Sequence, residues 1–374
     1  MMSSAADRRD RWAIRPALGD VDHRSACGAA QGVRLSRKIL LLVATAAIWS
    51  ASIAAGRCDA VADFYRGRSI SLVIGFGAGG GYDAYARLLA RHLGRHIPGN
   101  PSLVAQNMQG AGGLKATQFL YDVAPRDGTV IGTVARGQPL APLLLGNTSF
   151  DATRFTWIGS VTDEASLCLS WFTSKARTWQ DLMTAETLFA GEGQGADPDM
   201  FATALNRVFG AKIKLITGFH STREMTLAMQ RGEVEGICGV SATTLLGQYA
   251  DWIAGKQVNL LAQMALRKDD RFPDVPLVTE LAQGEEQRQI IRLIVAGQAI
   301  ARPFFGPPGI PADRKQALRA AFDRTMQDPE FRAEAQRAKM DVNPMQGAEM
   351  ESFLRELYAM PKDVVDKAAL AIRK

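Results

Sequence analysis

The sequence predicts an α/β protein of two lobes, each a mainly parallel sheet flanked by helices. Three observations lead there. Short apolar runs alternate with stretches of helical periodicity. The alternation restarts beyond Trp157, so two α/β units follow in series. The chain of 374 residues is 47% hydrophobic and 22% charged, enough for two cores and too apolar for wholesale disorder.

The elements follow in order. Ser69–Phe76 (SISLVIGF) reads as the first strand. From Asp83 to Gly94 a helix is expected, because Ala86, Leu89, Ala90 and Leu93 recur at i, i+3, i+4 and i+7. Ser102–Gln106 is the next strand, Gly113–Val123 the next helix and Val130–Val134 the third strand. In the second unit, strands Leu167–Phe172, Thr187–Ala190, Lys214–Thr217 and Val234–Cys238 alternate with helices Met200–Phe209 and Arg223–Arg231. The tail is helical over Ala312–Gln327, Pro329–Lys339 and Met350–Tyr358. Pro329 suits a first helical turn, where its missing N–H has no partner to lose.

Ahead of these elements stands a leader. Ile39–Ala55 is an apolar run preceded by Arg34, Arg37 and Lys38, the layout of a secretory signal. Ala60-Val61-Ala62 offers a cleavage site, which would start the mature chain at Asp63. An uncleaved anchor is the competing reading, but the run sits at the short edge of spanning length. Cys58 is a poor lipidation site, because Arg57 stands where a small residue is needed. Residues 1–33 are long for the basic region of a signal, so Val33 or Leu35 is the expected true start.

The leader also accounts for most of the formal charge of +6. Residues 63–374 carry 35 basic and 33 acidic side chains, a net of +2, which gives no support for a nucleic-acid partner. Four cysteines are too few for a disulfide scaffold. Cys168 and Cys238 lie on separate expected strands and face an oxidising compartment after export; whether they pair is open at this point.

Two glycine loops carry the chemistry. Phe76-Gly77-Ala78-Gly79-Gly80-Gly81-Tyr82-Asp83 lies between a strand and a helix, as does Gly110-Ala111-Gly112-Gly113. Glycine lets backbone N–H groups meet a ligand with no side chain in the way. A helix start adds unpaired donors and a positive dipole end, so each loop suits an anion. In a parallel sheet both loops fall at the carboxyl ends of the strands. Asp83 has two readings: it caps the following helix and orients loop waters, or it receives an ammonium or hydroxyl from the ligand.

Rival constellations are weaker. Gly75-x-Gly77-x-x-Gly80 satisfies a dinucleotide fingerprint, but Arg95 to Gly110 contains no acidic residue for the ribose. His92 and His96 have zinc-helix spacing with Leu93 where a general base would stand, and read as surface histidines. Gly239-Val240-Ser241-Ala242-Thr243 lacks the second glycine of a nucleophile elbow. Asp163-Glu164 reads as a polar loop, and His220 as a solvated histidine beside the cleft.

At the glycine loops the sequence resembles the periplasmic receptors of tripartite tricarboxylate transporters, the Bug family. The first loop is similar to a family F-A-P-G-G-x-x-D, with Arg87 following, and Asn107-Met108-Gln109-Gly110-Ala111-Gly112-Gly113 to N-R-P-G-A-G-G. Pro125-Arg126-Asp127-Gly128, Asp274-Val275-Pro276-Leu277-Val278-Thr279-Glu280 and Pro307-Pro308-Gly309-Ile310-Pro311 extend the likeness over nearly all of the mature chain. Ala78, Met108 and Gln109 replace the usual Pro, Arg and Pro, and Gly191-Glu192-Gly193-Gln194-Gly195 is longer than the corresponding family loop.

The resemblance implies a type II periplasmic binding protein, a two-lobed clamp. Its expected division is a leader over 1–62, a first lobe of 63–165 with 271–374, and a second lobe of 166–270. It implies a ligand carboxylate held by Phe76, Gly77, Ala78, Gly79, Gly80, Gly81 and Asp83 with Gly110, Ala111, Gly112 and Gly113. Gly193, Gln194, Gly195, Phe219 and Ser241 would close from the second lobe. The expected protein is a periplasmic monomer, not an enzyme, without cofactor or metal. It would present a small carboxylate to the integral membrane subunits of a tripartite transporter. An exported module feeding a sensor is the alternative, with a dinucleotide enzyme behind it.

Overall fold

The computed structural model describes residues 60–146, 148–193, 195–219 and 221–373. Two sheets organise them. The first has the order β11-β4-β10-β3-β1-β2, built from β1 (Ser69–Ile74), β2 (Ser102–Asn107), β3 (Val130–Thr133), β4 (Thr156–Ser160), β10 (Pro303–Gly306) and β11 (Met345–Gln346). The second has the order β7-β6-β8-β5-β9, built from β5 (Ser166–Trp171), β6 (Thr187–Gly191), β7 (Ile213–Thr217), β8 (Gly236–Ser241) and β9 (Val258–Met264).

Each sheet is mixed rather than mainly parallel. β2-β1-β3 and β7-β6-β8 are parallel. The antiparallel pairs involve β4, β5, β9 and β10, which flank the two passages of the chain between the sheets. Those passages run side by side. The Val161 N–H donates to Arg302 O at 3.1 Å, Ala301 N–H to Thr162 O at 3.1 Å, and Glu164 N–H to Gln298 O at 2.9 Å.

The helices pack where their apolar stripes require. α1 (Gly81–Leu93) buries Ala86, Leu89 and Leu93 of the expected stripe, leaves Ala90 half-buried, and buries Leu88 as well. α2 (Leu114–Gln118) follows the second glycine loop. α3 (Asp197–Phe209), α4 (Thr222–Gln230) and α5 (Ala242–Gln248) follow β6, β7 and β8. α7 (Ala312–Gln327), α8 (Pro329–Arg337) and α9 (Gly347–Tyr358) rest on the first lobe, against β4 and α1. α6 (Glu285–Val295) and the last helix α10 (Lys362–Ile372) pack on α3. α10 also packs on residues 141–144 of the first lobe, so this pair of helices touches both lobes.

Three further features differ from expectation, and the pairing of Cys168 with Cys238, left open by the sequence, is settled. Residues 60–65 are helical, and Val61 is 4% exposed in a core with Tyr65, Leu72 and Phe331. A mature chain starting at Asp63 would discard that core side chain. His92 is no surface histidine, because α8 packs on α1: its Nε2 lies 2.6 Å from Glu334 Oε2 and its ring meets Phe331 edge-on. Cys168 and Cys238 sit directly opposite one another on β5 and β8 and form a disulfide. Glu164 is buried, not a solvated loop residue. On the flank of the passages, Asp341 meets Arg271 at 3.0 Å and accepts from the Thr243 hydroxyl at 2.5 Å.

Candidate ligand-binding site

The parallel register places Ile74 beside Asn107 and Thr133, so the loops after β1, β2 and β3 leave the sheet at one edge. Hydrogen bonds continue the ladder past the strands: Gly75 N–H to Thr133 O at 2.9 Å and Met108 N–H to Ile74 O at 2.7 Å. The two glycine loops are neighbours, as their anion-binding reading requires. In the second loop Gly110, Ala111, Gly112 and Gly113 all have positive φ. That run of left-handed and related conformations is why glycine dominates there.

The loops leave their donors open. The helix start at Gly80 has no side-chain cap, nor has the one at Gly110. Among the described residues, the amides of Ala78, Gly80, Gly81, Ala111 and Gly112 meet no protein acceptor. The exposure of all five residues leaves these donors to solvent or ligand.

Asp83 organises this edge rather than presenting a free carboxylate. It accepts from the Gly79 N–H, Arg87 Nε and Asn107 Nδ2, each at 2.9 Å. Burial alone would raise its pKa, but these bonds outweigh burial and hold the carboxyl below the ordinary carboxylate value. Asn107 also donates to Phe76 O at 2.9 Å, pinning the start of the loop. The Phe76 ring stacks on Tyr82 at 4.3 Å, which closes the loop over itself.

The third strand supplies residues that sequence reasoning missed. Arg136 follows β3 and reaches the second lobe. It donates to Asp197 at 2.6 Å, to Glu164 at 2.6 Å and to the Ser166 hydroxyl at 2.8 Å. Its own N–H donates to the Tyr82 hydroxyl at 2.9 Å. Arg302 contacts Glu164 at 3.1 Å and lies over the rings of Tyr82 and Tyr85, at 4.6 and 5.1 Å. Burial would raise the Glu164 pKa, but Arg302 and Arg136 outweigh it and keep the group ionised. Arg136 is thus spent on protein carboxylates, whereas Arg302, whose Nη2 would lie 3.4 Å from a Cβ on Gly81, keeps its buried Nε without a partner among the described residues. Gln138, two residues on, donates to Gly112 O at 3.1 Å.

The second lobe meets this edge with the loops after β6, β7 and β8. Gly137 comes close enough that a Cβ on it would lie 3.8 Å from Gly195 O. Gly193 donates its N–H to Asp199 at 2.7 Å. Phe219 is half-buried and donates its N–H to Gly191 O at 3.2 Å. Ser241 is occupied locally: its hydroxyl accepts from the Thr244 N–H and caps α5. Gln194 and His220 lie outside the described residues. Glu192, also missed, sits at the end of β6 between two glycines. Burial, with Asp197 and Asp199 beside it, pushes its carboxyl up to about 7. The signal for Arg136 and Glu192 was positional, since Glu192 directly follows β6 and Arg136 lies three residues past β3, both at strand ends that face the cleft.

Two α/β lobes joined by paired passages, with glycine loops at the facing strand edges, define a two-lobed type II periplasmic binding protein. The chain belongs to the tripartite tricarboxylate transporter receptor family, whose model matches residues 86–370. It is a substrate-binding receptor, not an enzyme. A Cupriavidus necator relative, the UPF0065 protein in the gbd 5′ region, is 26% identical over 88% of this chain and 96% of its own length. The fold matches the periplasmic binding protein BugD with a TM-score of 0.62 at 22% identity, over 81% of this chain and 98% of that one. It also matches MatC of Rhodopseudomonas palustris with bound malate, with a TM-score of 0.61 at 20% identity, over 80% of this chain and 99% of that one.

Proposed function

We propose that this protein captures a small carboxylate between its lobes in the periplasm and presents it to the membrane subunits of a tripartite-type transporter. The observation that carries the reading is the set of unpaired amides at Ala78, Gly80, Gly81, Ala111 and Gly112, gathered at one strand edge. An N–H bond to a charged acceptor contributes about 1.5–3 kcal/mol net. Four such bonds give roughly 6–12 kcal/mol, against about 8 for a micromolar Kd. Closure of the second lobe removes water and strengthens each contact.

The family and the ligand-bound relatives support this reading, since MatC carries malate and a second Rhodopseudomonas palustris neighbour carries adipate. Export would proceed through the basic and apolar leader, cut upstream of Val61 so that its core contact survives. Among the described residues, no helix is long and apolar enough to cross a membrane.

Calorimetry with carboxylates and their neutral amides tests the binding step. Carboxylates should bind and the amides should not. Equal binding of both, or a thermal shift with NAD(P) alone, would refute the reading. Deleting the chromosomal copy should abolish uptake of the bound acid.

A further inference from the structure

A groove of about 420 Å³ runs between α5 of the second lobe and α8 of the first, and no glycine-loop residue lines it. Its walls come from both lobes. Leu246 and Gly247 stand on α5, Arg332 on α8, and Lys339 and Met340 just beyond α8. Leu246 packs on the core of the second lobe and Met340 on that of the first.

Asp341 ties the walls together. Its carboxylate accepts from the Thr243 hydroxyl of α5 at 2.5 Å and pairs with Arg271 at 3.0 Å. Arg271 belongs to the second-lobe wall, since Phe272 beside it is buried in that core. The Asp341 carbonyl accepts at 3.0 Å from the Tyr85 hydroxyl of α1, the helix that starts at the first glycine loop. The groove is therefore whole only while the lobes hold this arrangement, and its edge is bonded to the ligand-binding helix.

The charge of the groove is one-sided. Asp341 is matched by Arg271, which also pairs with Asp269 at 2.7 Å. Arg332 donates its Nε to Met326 O at 2.7 Å, and neither it nor Lys339 meets a carboxylate among the described residues. Both side chains are exposed at the rim.

Two positions here forgo a more stable residue. Gly247 lies within α5, where alanine would favour the helix, and a Cβ on it would meet nothing within 4 Å. Lys339 takes φ +55 just past the C-cap of α8, a left-handed position that favours glycine. Its own N–H bonds to Gln336 O at 3.0 Å, and the Met340 N–H bonds to Ala335 O at 2.9 Å, which hold it there. A floor kept bare and a cation kept at the rim account for both choices.

We infer that this groove is a docking surface for an acidic segment of the membrane subunits, one that is complete only when the lobes are clasped. An apolar side chain of the partner would lie over Leu246, Gly247 and Met340, and its carboxylates would meet Arg332 and Lys339. The inference rests on the delivery reading above and deepens it, because a partner seated across both walls grips only one arrangement of the lobes.

Biolayer interferometry against the transporter's membrane subunits in lipid nanodiscs, in buffer containing malate, adipate and citrate, tests this. The wild type should bind, and more weakly as salt rises from about 50 to about 300 mM. Arg332→Glu combined with Lys339→Glu should weaken binding at least about tenfold, and Arg332→Lys less than about threefold. Gly247→Phe fills the floor and should cost about tenfold as well. Lys339→Gly separates docking from folding: the melting temperature should rise by about 2 °C while binding weakens about threefold. Asp341→Ala removes an acid, so a merely electrostatic surface would bind more tightly; loss of both cross-lobe bonds should instead weaken binding about tenfold. Wild-type affinity in the double charge reversal, or tighter binding by Asp341→Ala, each with wild-type circular dichroism, would overturn the inference and leave the delivery reading standing. Absence of wild-type binding would instead overturn the delivery reading itself.

Discussion

Gly75 and Gly113 press against each other. A Cβ on Gly75 would lie 3.1 Å from the Gly113 Cα, and one on Gly113 would meet the Ala135 amide at 3.4 Å. The end of β1 and the second glycine loop approach this closely because neither residue has a side chain.

Gly113→Ala should therefore damage both stability and binding. Gly113 has φ +90, where an added Cβ costs about 1–2 kcal/mol. The displaced loop should weaken carboxylate affinity about tenfold by calorimetry. Gly67→Ala is the control: its φ is +72 with nothing within 4 Å of the added Cβ, so it should lose similar stability and no affinity. Equal affinity in both variants would place the loop outside the site.

Removing Arg136 should be among the most destabilising single changes. Arg136→Met leaves Glu164, 8% exposed, with Arg302 alone, and strips Asp197 of its cation. A loss of about 3 kcal/mol is expected in urea melts. Asp197→Asn should cost less, because its side chain is more exposed than that of Glu164.

Glu192 should make stability fall as pH rises through neutrality. The folded chain keeps the Glu192 proton up to about 7, whereas the ordinary value is 4.5. Between those limits the folded state binds more protons than the unfolded state, so stability declines with rising pH. Glu192→Gln should remove that decline, gaining about 1–2 kcal/mol above pH ~8 and nothing below pH ~4, after discounting for partial exposure. Thermal melts of both proteins across that range provide the measurement.

The Cys168–Cys238 bridge joins residues 70 positions apart. Closing a loop of that size restricts the unfolded chain by about 4 kcal/mol on the chain-entropy model. Cys168→Ala with Cys238→Ala should lower the urea midpoint accordingly. Treating the wild type with reductant in urea should abolish most of the difference between the two proteins.

The parts of this molecule that were legible in its sequence are those specified locally. β1 alternates serine with isoleucine before the apolar Leu72-Val73-Ile74, and α1 shows a regular stripe, so both were evident. The glycine loops between them were evident because glycine runs mark backbone that must turn and stay bare. β4 was not, since TWIGS has no alternation and all five residues are buried only by tertiary neighbours. The Arg136 network was illegible for a different reason: its partners lie 28, 30 and 61 positions away. Similarly, an acid between two glycines shows nothing of the burial that sets the Glu192 pKa. The shared edge of α6 and α10 with α3 escaped notice because it depends on how the chain returns.

The hydrogen-bonded passages 161–164 and 298–302 have a mechanical consequence. A single strand swivels freely about its torsions, whereas two laced strands flex like a leaf spring, easily in one plane and stiffly in the others. The jaws would then open along one arc, giving the rim two geometries, one filled and one empty.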